Sequence, residues 1–301
     1  MVNDSTPEPL ALDRAALKRA FDRAGAQYDA AARLQQRVRA ELLTRLQFFA
    51  LTPSTILDLG AGTCQASEAL QRRFPRARVL AVDIAPGMLA AAPRQPWWRR
   101  QRVTRLCADA YALPLAAHSV DLVFSNLMLQ WCDQPQQIFA QLARVLKPRG
   151  LLLFSSLGPD TLQELREAWA AADAGAHVNA FIDLPQLGEA LMHAGLTEPV
   201  MDVEHERLYY DTPRALMQEL QRIGARNASQ SRARGLTGRA RLQRMLQAYE
   251  AQRGARGIPA TYEVIYAAAF AAASSDASGA GGGAPAGEFA VPLSSLRRRQ
   301  R

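Results

Sequence analysis

The sequence predicts an α/β fold: a mostly parallel sheet with helices on both faces, extended by an added helical region. Three observations carry this reading. Short apolar runs alternate with helical stretches from residue 55 to residue 156, the pattern of a parallel sheet covered on both sides. The first run, ILDLGAGTC at 56–64, ends in a carboxylate and two glycines before a helix begins, at the strand end where ligands of such sheets sit. After Ser156 the alternation gives way to helical periodicity.

The elements follow in order. Residues 13–47 read as helix, with Leu17, Phe21, Leu34, Val38, Leu42 and Leu46 at helical spacing and Gly25 expected to mark a break between two segments. Strand 55–59 (TILDL) is followed by helix 63–73, strand 78–83 (RVLAVD), helix 86–92 and strand 103–108 (VTRLCA). Strand 119–125 (SVDLVFS), helix 134–146, the turn KPRG and strand 150–156 complete the alternating part. Helices are then expected at 160–171, 185–194, 213–224 and 236–251, with a last strand at 261–272 (TYEVIYAAAFAA). Residues 274–301, rich in Gly, Ala and Ser and ending in arginines, have the composition of a disordered segment. The expected division is therefore 1–49, N-terminal helices; 50–157, the ligand-binding core; 158–273, a helical region with the final strand; and 274–301, a basic tail.

No apolar run approaches the roughly 20 residues that span a bilayer, and the start MVNDSTPEPL is polar and acidic, so a cytoplasmic protein is expected. Cys64, Cys107 and Cys132 form no C-x-x-C pair, and His118, His177, His193 and His205 lack ligand spacing, so neither a disulfide nor a metal site is expected. The net charge of +8 is concentrated: between Arg222 and Arg256 stand nine arginines against one acid, Glu250. Such a cluster suits an acidic partner. Nucleic acid fits less well, because Tyr249 is the one aromatic in that stretch and single-strand binders need stacking platforms.

The turn at Gly60 and Gly62 discriminates among ligands. A dinucleotide fingerprint G-x-G-x-x-G would place a third glycine where Gln65 stands. A pyrophosphate would also meet Asp58 at the strand end, whereas an ammonium or sulfonium would be attracted there. Asp83 closes the second strand 21 residues after Gly62, where a carboxylate accepts ribose hydroxyls. Asp109 and Ala110 follow the third strand, placed for an adenine, and Asn126 and Leu127 follow the fourth, at the substrate end. Amino-acid end, ribose and base in that order describe S-adenosyl-L-methionine. NAD is the main competitor.

The motifs LDLGAGTC, AVD and CADAYALPLAAHSVDLVFSNLMLQW resemble those of class I S-adenosylmethionine-dependent methyltransferases over about residues 50–157. FDRAGAQYDAAARLQ (21–35), SNLMLQWC (125–132), GPDTLQELREAW (158–169), HVNAFID (177–183) and PATYEVIYAAAF (259–270) narrow this to a resemblance to the malonyl-[acyl-carrier protein] O-methyltransferase family of biotin synthesis. The resemblance implies a Rossmann-like, seven-stranded sheet with a helical lid. It also implies methylation of the free carboxylate of a malonyl thioester and, as partner, an acidic acyl carrier protein docking on the Arg222–Arg256 region. Tyr28 matches the tyrosine of the family's YD segment and is expected over the methyl donor, with Asn126 beside the acceptor. Arg166 and Arg222 are candidates for reading the acceptor carboxylate, since a planar guanidinium matches it. Trp131 and Trp169 are expected to pack the junction of core and lid, and Trp97-Trp98 to lie in a surface loop. Two relatives of the same superfamily remain as alternatives: a protein-arginine-modifying assembly factor of complex I, whose DTLQELR and PATYEVIY counterparts are similar, and a methyltransferase with another small acceptor.

Overall fold

The structure is a computed structural model of the 301-residue chain, and it describes residues 11–94, 103–225, 227–229, 235 and 237–273. Trp97-Trp98, Arg226, Arg232, Arg234 and the tail 274–301 lie outside the described residues.

Two helices lead into the sheet, α1 (Arg14–Ala31) and α2 (Arg33–Arg45), capped at the start by the Asp13 side chain accepting from Ala16 N. Gly25 does not break the helix. The break falls at Ala32, and Gly25 is a contact point: a Cβ there would lie 2.6 Å from the Gly87 carbonyl oxygen. Then come β1 (Thr55–Leu59), α3 (Gln65–Arg73), β2 (Arg78–Asp83), α4 (Pro86–Ala91), β3 (Thr104–Cys107), β4 (Val120–Asn126), α5 (Pro135–Val145) and β5 (Leu146–Leu157). The KPRG stretch belongs to β5, with Arg149 at a positive φ of 61° and a register shift against β4. Beyond it lie α6 (Gln163–Ala170), α7 (Leu184–His193), β6 (Leu196–Tyr210), α8 (Pro213–Arg222), α9 (Arg239–Glu250) and β7 (Ile258–Ala271).

The sheet has seven strands in the order β3-β2-β1-β4-β5-β7-β6. Strands β1 to β5 run parallel, β7 lies antiparallel to β5, and β6 pairs antiparallel with β7 at the edge. Strand order reverses between β1 and β4, which opens a crevice at their carboxyl ends. The central strands are buried on both faces, as their near-continuous apolar sequences require. One face packs Ile56, Leu122 and Phe124 against Val38 and Leu42 of α2 and Leu46 just after it; the other packs Leu57, Leu59 and Phe154 against Phe139 and Leu142 of α5 and Leu191 of α7. Burial of this kind, at about 25 cal/mol per Å² of apolar area, drives the fold.

Within the segment after Ser156, which itself supplies β6 and β7, a buried carboxylate ties a helix to the sheet. Glu164 on α6 accepts from the Thr261 amide (2.9 Å) and the Thr261 hydroxyl, so α6 is anchored on β7. No helix among the described residues is long and apolar enough to cross a membrane.

Candidate functional site

A cavity of about 180 Å³ opens at the carboxyl ends of β1, β2 and β4 and is walled on the other side by α1, α8 and the segment 177–181. Its walls include Tyr28, Gly60, Gly62, Asp83, Asp109, Ala110 and Asn126. Residues scattered over about a hundred positions are thus brought to a single site.

The glycine turn is built for close approach. Gly60 and Gly62 both have positive φ, 73° and 53°, which glycine adopts without strain. A Cβ at Gly60 would fall 2.2 Å from Met128 Cγ, so the turn sits tightly under the loop after β4. Asp83 holds the turn from the neighbouring strand: its two carboxylate oxygens accept from the Gly62 and Ala85 amides, each at 2.8 Å. Burial raises its pKa, and the backbone amides oppose that shift.

Tyr28 stands across the cavity on α1, half-buried. Burial first, then the nearby charges of Asp83 and Asp29, push its phenol well above the usual range, so it stays protonated and can donate. The adjacent Asp29 turns away from the cavity and accepts from Thr63 Oγ1 (2.6 Å) and Gln65 Nε2 (2.9 Å), tying α1 to the start of α3. Asn126 is clamped: its Nδ2 donates to the Gln35 carbonyl at 3.1 Å and its Oδ1 accepts from Ser155 Oγ at 3.2 Å. Asp109 caps the turn 110–112 by accepting from Tyr111 N at 3.0 Å, and it pairs with Arg14. That arginine also lies over the Tyr111 ring at 4.2 Å.

Three expected site residues do not line the cavity. Asp58 is 1% exposed and accepts a hydrogen bond from Ser67 Oγ; burial pushes its pKa up to about 7. It lies beneath the glycine turn because the strand alternates sides, and Leu59 faces the cavity instead. Arg166 donates through one guanidinium nitrogen to the Pro159 (3.0 Å) and Thr161 (2.5 Å) carbonyls and lines an adjoining cleft behind residues 176–180. Arg222, in the last turn of α8, is exposed outside the cavity. Trp131 meets Phe21 edge-on at 5.4 Å and lines the cavity, whereas Trp169 is buried and stacks on His177 at 3.7 Å.

Several wall residues escaped the sequence reading: Arg14, Met128, Gln130, Asn179, Glu219 and Tyr262. They lie in irregular segments or far along the chain, where no spacing rule links them to the glycine turn. The FDRAGAQYD and HVNAFID motifs were the available signals for two of the wall segments.

The residues present fit S-adenosylmethionine. Asp83, Asp109 and Glu219 give the walls an acidic bias that suits a sulfonium and an ammonium. Tyr28, Phe21 and Trp131 supply aromatic faces of the kind that attract cations.

Fold and turn together define a Rossmann-type methyltransferase domain, and comparison with known proteins agrees: the family described as "Methyltransferase domain" matches residues 57–154. The protein from Gallionella capsiferriformans named malonyl-[acyl-carrier protein] O-methyltransferase is 45% identical over 264 residues, covering 86% of this chain and 91% of its own. A Methylovorus protein of the same name is 46% identical over 270 residues, 88% of this chain and 91% of its own. A third, from Halorhodospira halophila, is 42% identical and covers 96% of this chain and 97% of its own. Among solved structures, the YcgJ protein of Bacillus subtilis matches in fold, with a TM-score of 0.55 at 15% identity over 77% of this chain and 97% of its own. The chain belongs to the malonyl-[acyl-carrier protein] O-methyltransferase family.

Proposed function

We propose that this protein methylates the free carboxylate of malonyl-acyl carrier protein with S-adenosyl-L-methionine, giving the methyl ester at an early step of biotin synthesis. The observation that carries the reading is identity above 40% with proteins of that name over 86–96% of the chain. The wall segments outside the generic domain fall within that similarity.

In this reading Gly60, Gly62, Asp83, Asp109 and Ala110 hold the cofactor, and Asp58 supports the turn from below. Tyr28 and Asn126 face the reacting end. The bound cofactor supplies an electrophilic methyl group. The chain's residues have a modest chemical task, because a malonyl carboxylate is already ionised near neutral pH and needs no general base. What remains is alignment and exclusion of water. The protonated Tyr28 phenol can orient the acceptor carboxylate by donating to it.

Segments 1–49 and 158–273 then act as the two covers of the core 50–157. The arginines of 222–256 form the docking face for the acidic carrier. Of those described, Arg239, Arg241, Arg244, Arg253 and Arg256 are exposed. The test is incubation with labelled S-adenosylmethionine and malonyl-carrier protein, followed by mass spectrometry of the thioester. A gain of one methyl group on the malonyl unit is expected; an unmodified thioester with full cofactor binding would overturn the proposal.

A further inference from the structure

The part of the cavity beyond β4 and β5 is walled by Leu162, Asn179, Phe181 and Tyr262, and no arginine lines it among the described residues. Arg14, the cavity's arginine, is paired with Asp109 beyond β3. An acceptor carboxylate must therefore be received by other donors. His177 is engaged already, its Nε2 at 2.7 Å from Asp173 Oδ1 and its ring against Trp169.

Asn179 is 7% exposed and lines the cavity. Its Oδ1 accepts from the Ala228 amide at 3.0 Å, which fixes the side chain and commits its carbonyl. The amide Nδ2 has no hydrogen bond to any described residue. An unengaged amide donor on the cavity wall is available to a ligand oxygen. Gln130 has the opposite polarity: its Nε2 donates to the Leu127 carbonyl at 2.6 Å, leaving a buried, unpartnered Oε1. The unpartnered oxygen of Gln130 repels a carboxylate, so of these two amides Asn179 is the better suited to receive one.

We propose that Asn179 is the specificity-determining residue that receives the free carboxylate of the acceptor through its amide nitrogen; this rests on the malonyl-thioester reading above. A neutral donor in an apolar wall holds the carboxylate in place. It withdraws less charge than a bidentate guanidinium would, and the carboxylate keeps its nucleophilicity.

The test compares two ligands that compete with malonyl-carrier protein, malonyl-pantetheine and its terminal carboxamide counterpart, on the full-length protein. Wild type favours the carboxylate. Asn179→Asp keeps the oxygen that Ala228 needs and replaces the donor with a charge, so the preference inverts, with the ratio of inhibition constants moving roughly tenfold or more. Affinity for S-adenosylmethionine, by calorimetry, stays within twofold. A ratio unchanged from wild type overturns the proposal, since a merely structural asparagine would weaken both ligands alike. Should Asn179→Asp fail to fold, Asn179→Ser serves: carboxylate affinity must fall severalfold with cofactor affinity retained, and undiminished affinity overturns the role. Wild-type protein that binds neither thioester overturns the functional reading itself, and this inference with it.

Discussion

Two carboxylates in the first βα units differ sharply in role although both stand at strand ends. Asp83 is the cavity's acceptor and the fastener of the glycine turn. Asp83→Ala is expected to weaken S-adenosylmethionine binding by roughly 1–3 kcal/mol, through lost ribose contacts and a loosened turn; calorimetry checks it, and unchanged affinity would remove Asp83 from the site. Asp58 is the buried partner of Ser67, and its raised pKa, about 7, has a consequence for stability. Below pH 4 the carboxyl is protonated in both folded and unfolded chains and costs nothing. As pH rises from about 4 to about 7 the unfolded chain releases the proton and the folded one retains it, so this group's contribution turns increasingly unfavourable. Asp58→Asn should therefore be more stable relative to wild type at pH 8 than at pH 4, as denaturant unfolding of both proteins would show. Any fixed packing cost cancels in that difference. An advantage equal at both pH values would show that Asp58 titrates normally. Sequence reasoning found Asp83 and the glycines because the β1 and β2 ends follow a fixed spacing. It placed Asp58 at the cavity, whereas strand alternation turns neighbouring side chains to opposite sides, and the arginines it chose for the acceptor, Arg166 and Arg222, stand outside the cavity.

At the scale of elements, α1 forms the cavity's roof, and its position depends on a glycine pair. Gly25 and Gly87 meet backbone to backbone: a Cβ on Gly25 would lie 2.6 Å from the Gly87 oxygen, and one on Gly87 would lie 2.4 Å from the Asp22 oxygen. The Gly87 amide also donates to Asp22 Oδ1 at 2.9 Å. Gly25→Ala must push α1 away from α4, because the clashing atom is backbone and cannot rotate aside. The expected result is a loss of about 1–3 kcal/mol in unfolding free energy and weaker cofactor binding, since Tyr28 lies one turn further along. Gly254→Ala, where a Cβ meets nothing within 4 Å, is the control and should be silent. Equal melting temperatures for the two variants would mean that α1 can shift freely. A glycine inside a helical pattern reads from sequence as a break; only the packed partner, some sixty residues on, shows it to be a contact. The edge strand β6 was also missed, because TEPVMDVEHERLYY alternates charged and apolar residues on a half-exposed edge and follows a run of helices. The parallel strands were legible for the converse reason: burial on both faces leaves them continuously apolar.

At the scale of the whole molecule, the proposed function assigns recognition of the carrier to the arginines of 222–256 and chemistry to the cavity. Arg239 opens α9 and Arg256 lies in the turn before β7; both are exposed and neither lines the cavity. Steering depends on summed charge over distances near the Debye length, about 8 Å at physiological salt, whereas methyl transfer depends on contacts inside the dry cavity. Arg239→Glu with Arg256→Glu should raise the KM for malonyl-carrier protein severalfold at low salt. Turnover at saturation and S-adenosylmethionine affinity should hold. Folding should survive: a glutamate in the first turn of α9 suits the helix dipole better than arginine, and the stacking of Arg256 on Tyr209, at 4.2 Å, is a surface contact worth about 0.5–1 kcal/mol. Added salt should raise the wild-type KM toward that of the variant, and malonyl-pantetheine, which carries no protein charge, should be methylated equally by both. Carrier kinetics identical for the two proteins at low salt would assign these arginines to an ordinary solvated face and send the search for the docking surface elsewhere on the lid.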